Sequence, residues 1–291
     1  MTIDVIIPIY NAYEDVLRCI DSVRRHTAAD SRIVLIDDCS TDDCIGAMFA
    51  TLDAAFDARI LLLKNTHNVG FVSTVNRGMS LSRNDVVLLN SDTVVTSGWL
   101  TKIKRCADSD SSIGTITPFS NNAEICSFPL FCQNNSLEGV DIEAVNRAME
   151  AVAIPSYTEI PTAVGFCMYI RRALLDKIGL LDAETFGLGY GEENDFCMRA
   201  IAAGYRNVLC DDTFVAHVGS RSFSAKTEAL KARNSQLLFA KHPHYLGVVQ
   251  RFISEDPIAP LRARVEARLA EPVPRCSWLA SIIKSFTGRV R

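Results

Sequence analysis

Several stretches of this chain gather side chains able to do chemistry. One is Asn90-Ser91-Asp92, which ends the apolar run Val86-Val87-Leu88-Leu89. An amide and a carboxylate two residues apart can aim oxygens at one point, which suits a hard divalent cation with phosphate as co-ligand. The same triplet also suits an ordinary turn. A second stretch is Gly187-Leu188-Gly189-Tyr190-Gly191-Glu192-Glu193-Asn194-Asp195, a pliable glycine loop that runs into acids at a helix start, where the helix dipole favours carboxylates. At about 100° per residue, Glu193 shares a side with Phe196, Cys197, Ala200 and Ile201. There desolvation would raise its pKa toward the range of a general base. Asp195 stands four residues before Arg199 and reads as half of an i,i+4 pair worth a few tenths of a kcal/mol. Plain decoration of a helix start explains Glu192 and Asp195, and competes evenly with the base reading for Glu193. A third stretch is His217-Val218-Gly219-Ser220-Arg221, whose composition could embrace a phosphate. A lone histidine is also a common structural residue.

These groups need elements that bring them together. Ile3 to Ile9, Ile33 to Ile36, Ile60 to Leu63 and Val86 to Leu89 are short runs, apolar throughout save for Asp4, that read as buried parallel strands. Three of them stop at polar residues: Tyr10-Asn11 after Pro8, Asp37-Asp38, and Asn90-Ser91-Asp92. Helical spacing fills the intervals at 13–26, 43–57 and 71–82. Strands alternating with helices give an α/β, doubly wound, mainly parallel sheet flanked by helices. Its ligands would sit at the carboxyl ends of the strands. Later elements are a helix from Ser97 to about Ala107, a strand over 113–118, a long Asn- and Ser-rich loop over 119–140, and a helix over 141–152. Strands over 164–170 and 208–210 follow, with a short helix from Arg172 to Ile178 between them.

Composition narrows the choices. The chain has 291 residues, 48% of them hydrophobic, and a net charge of −4, so nothing global favours nucleic acid as a partner. Its ten cysteines form no C-x-x-C pair, and several lie in apolar runs. Buried reduced thiols in a cytoplasmic protein fit better than disulfides or a zinc site. No signal peptide is expected, because Ile3 to Ile9 already reads as a strand, and no apolar run approaches transmembrane length. No G-x-G-x-x-G, G-x-x-x-x-G-K-[ST] or G-x-S-x-G occurs, which argues against dinucleotide enzymes, P-loop enzymes and α/β-hydrolases. Residues 1–256 read as one domain. Residues 257–291 read as a basic amphipathic helical extension, with Leu261, Val265 and Leu269 and then Trp278, Ile282 and Phe286 repeating at i,i+4. That extension could lie on an anionic membrane surface, or pack on this protein or a further domain.

Taken in order, Ile7-Pro8-Ile9-Tyr10-Asn11, Ile36-Asp37-Asp38-Cys39-Ser40-Thr41-Asp42, Asn68-Val69-Gly70-Phe71, Asn90-Ser91-Asp92, Gly191-Glu192-Glu193-Asn194-Asp195-Phe196 and His217 resemble the inverting family 2 glycosyltransferases with a GT-A fold. The resemblance covers residues 3 to about 225. The loop from Pro118-Phe119-Ser120-Asn121-Asn122 to Pro129 is similar to that of bacterial transferases that build surface polysaccharides of O-antigen or capsule type, rhamnosyltransferases among them. The resemblance implies a UDP- or dTDP-sugar donor and a saccharide or lipid-linked acceptor. It assigns nucleotide binding to Pro8, Tyr10, Asn11, Asp37, Asn68, Gly70, Asn90, Ser91 and Glu192. Asp92 and His217 would hold Mg²⁺ or Mn²⁺, and Glu193 would be the base. Asn90 stands where the family's metal motif usually has an acid, and Glu193 where it has Asp. The work would be done in the cytoplasm, peripherally at the inner membrane face. A non-catalytic nucleotide-sugar or glycan-binding module of the same fold, and a nucleotidyltransferase, are the competing readings.

Overall fold

The computed structural model describes residues 2–55, 57–219 and 225–271. Its first half is β1 (Ile3–Ile9), α1 (Tyr13–His26), β2 (Arg32–Asp37), α2 (Asp43–Ala55), β3 (Ile60–Lys64), α3 (Gly70–Leu81) and β4 (Asp85–Leu89). These four strands pair in parallel in the order β3-β2-β1-β4. Alternate residues of a strand face opposite sides, and the packing follows that rule. Val5, Ile7, Leu35, Val87 and Leu89 enter one core, while Ile6, Val34, Ile36, Val86 and Leu88 enter the other. Both faces are covered, which is why the runs are apolar save for Asp4. In α1, Val16, Cys19, Ile20 and Val23 form the buried stripe expected of a helix laid on a sheet.

The second half extends the sheet. It comprises β5 (Thr93–Val95), α4 (Trp99–Ser109), β6 (Ile113–Phe119), α5 (Ile142–Val152), β7 (Cys167–Ile170), α6 (Arg172–Ile178), α7 (Ala183–Phe186), α8 (Glu192–Ala202) and β8 (Arg206–His217). The full order is β3-β2-β1-β4-β7-β6-β8-β5. β7 runs antiparallel to β4 and β6, β8 parallel to β6, and β5 antiparallel to β8. So the sheet is mixed here, although most pairings among the described residues are parallel. Two elements differ from the sequence reading. β5 was not anticipated, being short and directly after a polar triplet. β8 is far longer than the strand expected at 208–210. Asp211, Asp212 and Thr213 look like a break, yet all three are buried and partnered. Asp211 accepts from the Ser156 and Tyr157 amides, and Asp212 pairs with Arg105. The strand can therefore carry them through to His217.

Three helices close the described chain: α9 (Ala225–Lys241), α10 (Tyr245–Glu255) and α11 (Ala259–Ala270). The boundary expected after residue 256 does not separate two packing units. Ile258, Leu261 and Val265 belong to the same core as Val145, Ala148 and Met149 of α5. Leu261 and Val265 of the first tail segment are thus buried against this protein, while Leu269 stays exposed. The Trp278–Phe286 segment lies outside the described residues. No described helix is long and apolar enough to cross a membrane.

Candidate active site

The carboxyl ends of β1, β2 and β4 open on a cleft of ≈ 390 Å³. Pro8 and Tyr10 line one side, Asn68 and Gly70 another, and Asn90, Ser91 and Asp92 a third. These seven come from three loops far apart in sequence, and the sheet order brings them together. Asp38, Phe71 and Leu188 complete the wall. Gly70 has φ 82°, and a Cβ there would lie 2.7 Å from Leu188 Cδ2 and 3.1 Å from its Cα. The missing side chain is what lets the loop after α7 lie against the start of α3.

Asn11 and Asp37 do not line the cleft. The Asn11 carbonyl oxygen accepts from the amides of Thr41 (2.8 Å) and Asp42 (3.0 Å), tying the loop after β1 to the loop after β2. Asp37 is buried, accepts from Ser40 N (2.8 Å), and has Lys64 Nζ at 3.3 Å. Its neighbour Asp38 is the acid at the cleft. Asp38 accepts from Asn65 Nδ2 and from the amides of Val69 and Gly70 at 2.7–2.9 Å. The sequence held the signal for this choice: consecutive residues at a strand end face opposite sides.

Asp92 leads into β5, and His217 ends β8 opposite it. Thr93 and His217 are partners in the ladder, and the Val218 amide donates to Asp92 O at 3.0 Å. The imidazole Nε2 lies 3.5 Å from Asp92 Oδ1. Its Nδ1 is 2.7 Å from Asn122 O. A carbonyl can only accept, so Nδ1 carries the proton, and in the neutral ring Nε2 presents a lone pair toward the carboxylate. A proton on Nε2 or a cation would bridge the two facing atoms. Phe166 stacks on the ring at 5.1 Å.

Glu193 joins this group from α8. Its Cγ lies 3.8 Å from where a Cβ on Gly165 would be, which places the side chain beside the segment leading into β7, one residue from Phe166. Burial pushes its carboxyl above the ordinary glutamate value, partly offset by backbone N–H groups. Asn194 Oδ1 accepts hydroxyls from Thr162 (2.7 Å) and Tyr245 (2.9 Å), which turns its Nδ2 toward Glu193 Oε1, 3.4 Å away. Glu192 is more deeply buried, with Oε2 unpaired, and lies against Gly189 near Phe71 of the cleft wall. Burial, and then the charge of Glu193, push its carboxyl well above the usual range. Ile201, placed by the helical projection on the apolar side, is 39% exposed.

Asp195 is wholly buried and does more than pair with Arg199. It accepts from Arg199 Nε, and Lys241 Nζ and His242 Nε2 also reach it, all at 2.8 Å. Arg199 also donates to the Ile178 and Leu180 carbonyls. Burial would raise the Asp195 pKa, but the bonds from Lys241, His242 and Arg199 outweigh it and hold the carboxyl below the ordinary range. A lowered folded-state pKa stabilises above the unfolded value of about 3.9, and the gain disappears as pH falls through the folded value. Asp195→Asn should therefore destabilise by on the order of 2 kcal/mol at neutral pH, well above the helix-surface figure. The deficit should vanish in strong acid. Thermal melts at pH 7 and below pH 3 measure it, and an unchanged melting temperature at pH 7 would contradict it.

Comparison with known proteins decides the family. The family model described as "Glycosyl transferase family 2" matches residues 4–179. The chain belongs to glycosyl transferase family 2. A curated "Uncharacterized glycosyltransferase" of Haemophilus influenzae is 28% identical over 102 residues, 35% of this chain and 31% of that one. The match thus spans about a third of that relative's length. Among solved structures, the mannosyltransferase PcManGT of Pyrobaculum calidifontis, in complex with GDP-Man and Mn²⁺, superposes with a TM-score of 0.62 at 17% identity, covering 99% of this chain and 81% of that one. GalNAc-T7 with UDP, GalNAc and Mn²⁺ gives 0.63 at 15% identity, covering 99% and 58%. TarS 1-349 of S. aureus gives 0.55 at 16%, covering 92% and 88%. This family 2 glycosyltransferase has the GT-A fold. Glu192, Glu193 and His217 lie beyond the span matched by the family model, so their roles rest on geometry.

Proposed function

We propose that this glycosyltransferase moves a sugar from a nucleoside-diphosphate donor, UDP- or dTDP-linked, to a hydroxyl of a saccharide or lipid-linked saccharide. The reaction is a single displacement with inversion, in bacterial surface-polysaccharide assembly of O-antigen or capsule type, with rhamnosyl transfer among the candidates. The enzyme would work in the cytoplasm at the inner membrane face. The supporting observation is that a cation-seeking pair, Asp92 and His217, and a carboxylate of raised pKa, Glu193, flank Phe166 and Gly165 beside the strand-end cleft.

The donor set fits a divalent cation. A hard carboxylate oxygen and an imidazole nitrogen face one another, and the imidazole proton is directed elsewhere. Among the described residues no cluster of three or more His, Cys, Asp or Glu could complete a cage, which suits an ion that shares its coordination with the donor's phosphates. Asp92 and His217 would hold Mg²⁺ or Mn²⁺, and the bound ion would neutralise charge on the departing diphosphate. Tyr10 and Asp38, rather than Asp37, would face the nucleoside. Asn11 and Asp37 would hold the two loops that shape its pocket. Glu192, buried and with its carboxyl pushed well above the usual range, has an unpaired carboxyl oxygen to offer a sugar hydroxyl.

Glu193 takes the acceptor's hydroxyl proton onto a carboxylate oxygen. The freed oxygen pair forms the new bond to the anomeric carbon, and the old carbon–oxygen bond breaks toward the diphosphate. Because attack and departure occur on opposite faces, the anomeric configuration inverts. NMR of the purified product tests this: the new glycosidic bond should have the anomeric configuration opposite to the donor's, and retention would overturn the mechanism.

A further inference from the structure

The ladder between β6 and β8 ends at the pair Phe119 and Phe214. β8 nevertheless runs on to His217, while the chain after β6 turns away into the Asn-rich loop. The backbone of His217 would therefore lack partners on that side. Asn121, 3% exposed, fills the gap with its side chain. Its Oδ1 accepts from His217 N at 2.8 Å, and its Nδ2 donates to His217 O at 2.9 Å. One amide thus satisfies both backbone groups of a single residue and acts as a further rung of the sheet. The next residue fixes the ring, since Asn122 O receives the Nδ1 proton. The packing is close enough that a Cβ on Gly219 would fall 2.2 Å from Asn122 Nδ2.

We propose that Asn121 is a positioning residue for the cation site: it sets the height and rotation of His217 so that Nε2 is delivered to Asp92. The inference rests on the reading of Asp92 and His217 as cation ligands. It explains why a buried amide is spent on that one peptide. β5 already holds the other edge of the strand, through Thr93 and the Val218–Asp92 bond. With Asn121 removed, the histidine would keep one edge and lose the other, and the two donors would no longer be held at a fixed separation. Outer partners of this kind are worth about 10–100-fold in metal affinity.

Asn135 supplies a control in the same loop. It pins Leu130, Gln133 and the Asn121 carbonyl at 3.0–3.1 Å, and none of its side-chain bonds goes to His217. Mn²⁺ would be titrated into the protein with UDP present, and bound ion read by electron paramagnetic resonance, for the parent, Asn121→Ala, Asn121→Asp, Asn135→Ala and His217→Ala. Asn121→Asp keeps the acceptor for His217 N–H but replaces the donor to His217 O with a second acceptor, and melting temperatures report which variants stay folded. Each Asn121 variant should weaken Mn²⁺ at least about ten-fold, approaching His217→Ala. Asn135→Ala should lower the melting temperature but shift Mn²⁺ affinity less than three-fold. Parent-like Mn²⁺ affinity in folded Asn121 variants, or equal losses in the Asn121 and Asn135 variants, would overturn the inference while leaving the metal reading standing. Parent-like affinity in His217→Ala would overturn both.

Discussion

Glutamine at position 193 should leave donor binding within a few-fold of the parent and cut kcat by about 10²–10⁴, the usual worth of a positioned base. The substitution keeps the size and one of the two acceptor oxygens but cannot take the proton. Its surroundings should survive, because the Glu193 contacts to Gly191 N (3.3 Å) and Asn194 Nδ2 (3.4 Å) are long and few. The pH dependence follows from the direction of the shift. Burial raises the Glu193 pKa, and only the ionised form is a base. The acid limb of kcat/KM should therefore lie above the ordinary glutamate value of about 4.3 and disappear in Glu193→Gln. Asp195 gives the contrast: its carboxyl is held down by hydrogen bonds from Lys241, His242 and Arg199, so Asp195→Asn should act on stability first. Parent-like turnover by Glu193→Gln, with a stably folded Asp195→Asn inactive, would transfer the role to Asp195.

Alanine at position 92 should be as damaging by another route. Asp92 lines the cleft, partly exposed, and among the described residues its carboxylate meets only the His217 side chain, at 3.5 Å. Its loss should barely affect folding. It should remove one of the two side chains available to a cation, and with it the charge that balances the departing diphosphate. A Lewis acid is worth several kcal/mol there, so turnover should fall by about 10³-fold or more. The Mn²⁺-dependent part of nucleotide affinity should vanish as well. Calorimetric titration of UDP with and without Mn²⁺ measures this, and undiminished metal-dependent binding in Asp92→Ala would refute the assignment.

Much of this site was legible because strand ends announce themselves. Val86 to Leu89 stopping at Asn90-Ser91-Asp92 marked three residues that line the cleft, whereas Pro8, Tyr10, Asn68 and Gly70, which line it too, were assigned through the family resemblance. Choosing between adjacent acids was harder. Asp37 and Asp38 differ only in which side of the strand they face, and the choice turned on contacts with Ser40, Lys64 and Asn65, made by the folded loops. Asp195 looked like a local pair because two of its partners, Lys241 and His242, lie at and just beyond the end of α9, far along the chain. Leu261 and Val265 formed an amphipathic stripe whose partner, α5, no local pattern could reveal. Periodicity shows that a face is apolar, and tertiary packing determines what covers it.

The central claim is that the cleft binds a sugar nucleotide and breaks its sugar–phosphate bond with help from a divalent cation. The most direct measurement incubates the protein with a panel of UDP-, dTDP- and GDP-sugars and Mn²⁺ and identifies the nucleotide product. The account predicts nucleoside diphosphate from at least one donor, abolished by excess chelator and by Asp92→Ala. Pyrophosphate as the product, full turnover in excess chelator, or tight nucleotide binding with no turnover of any donor would contradict it.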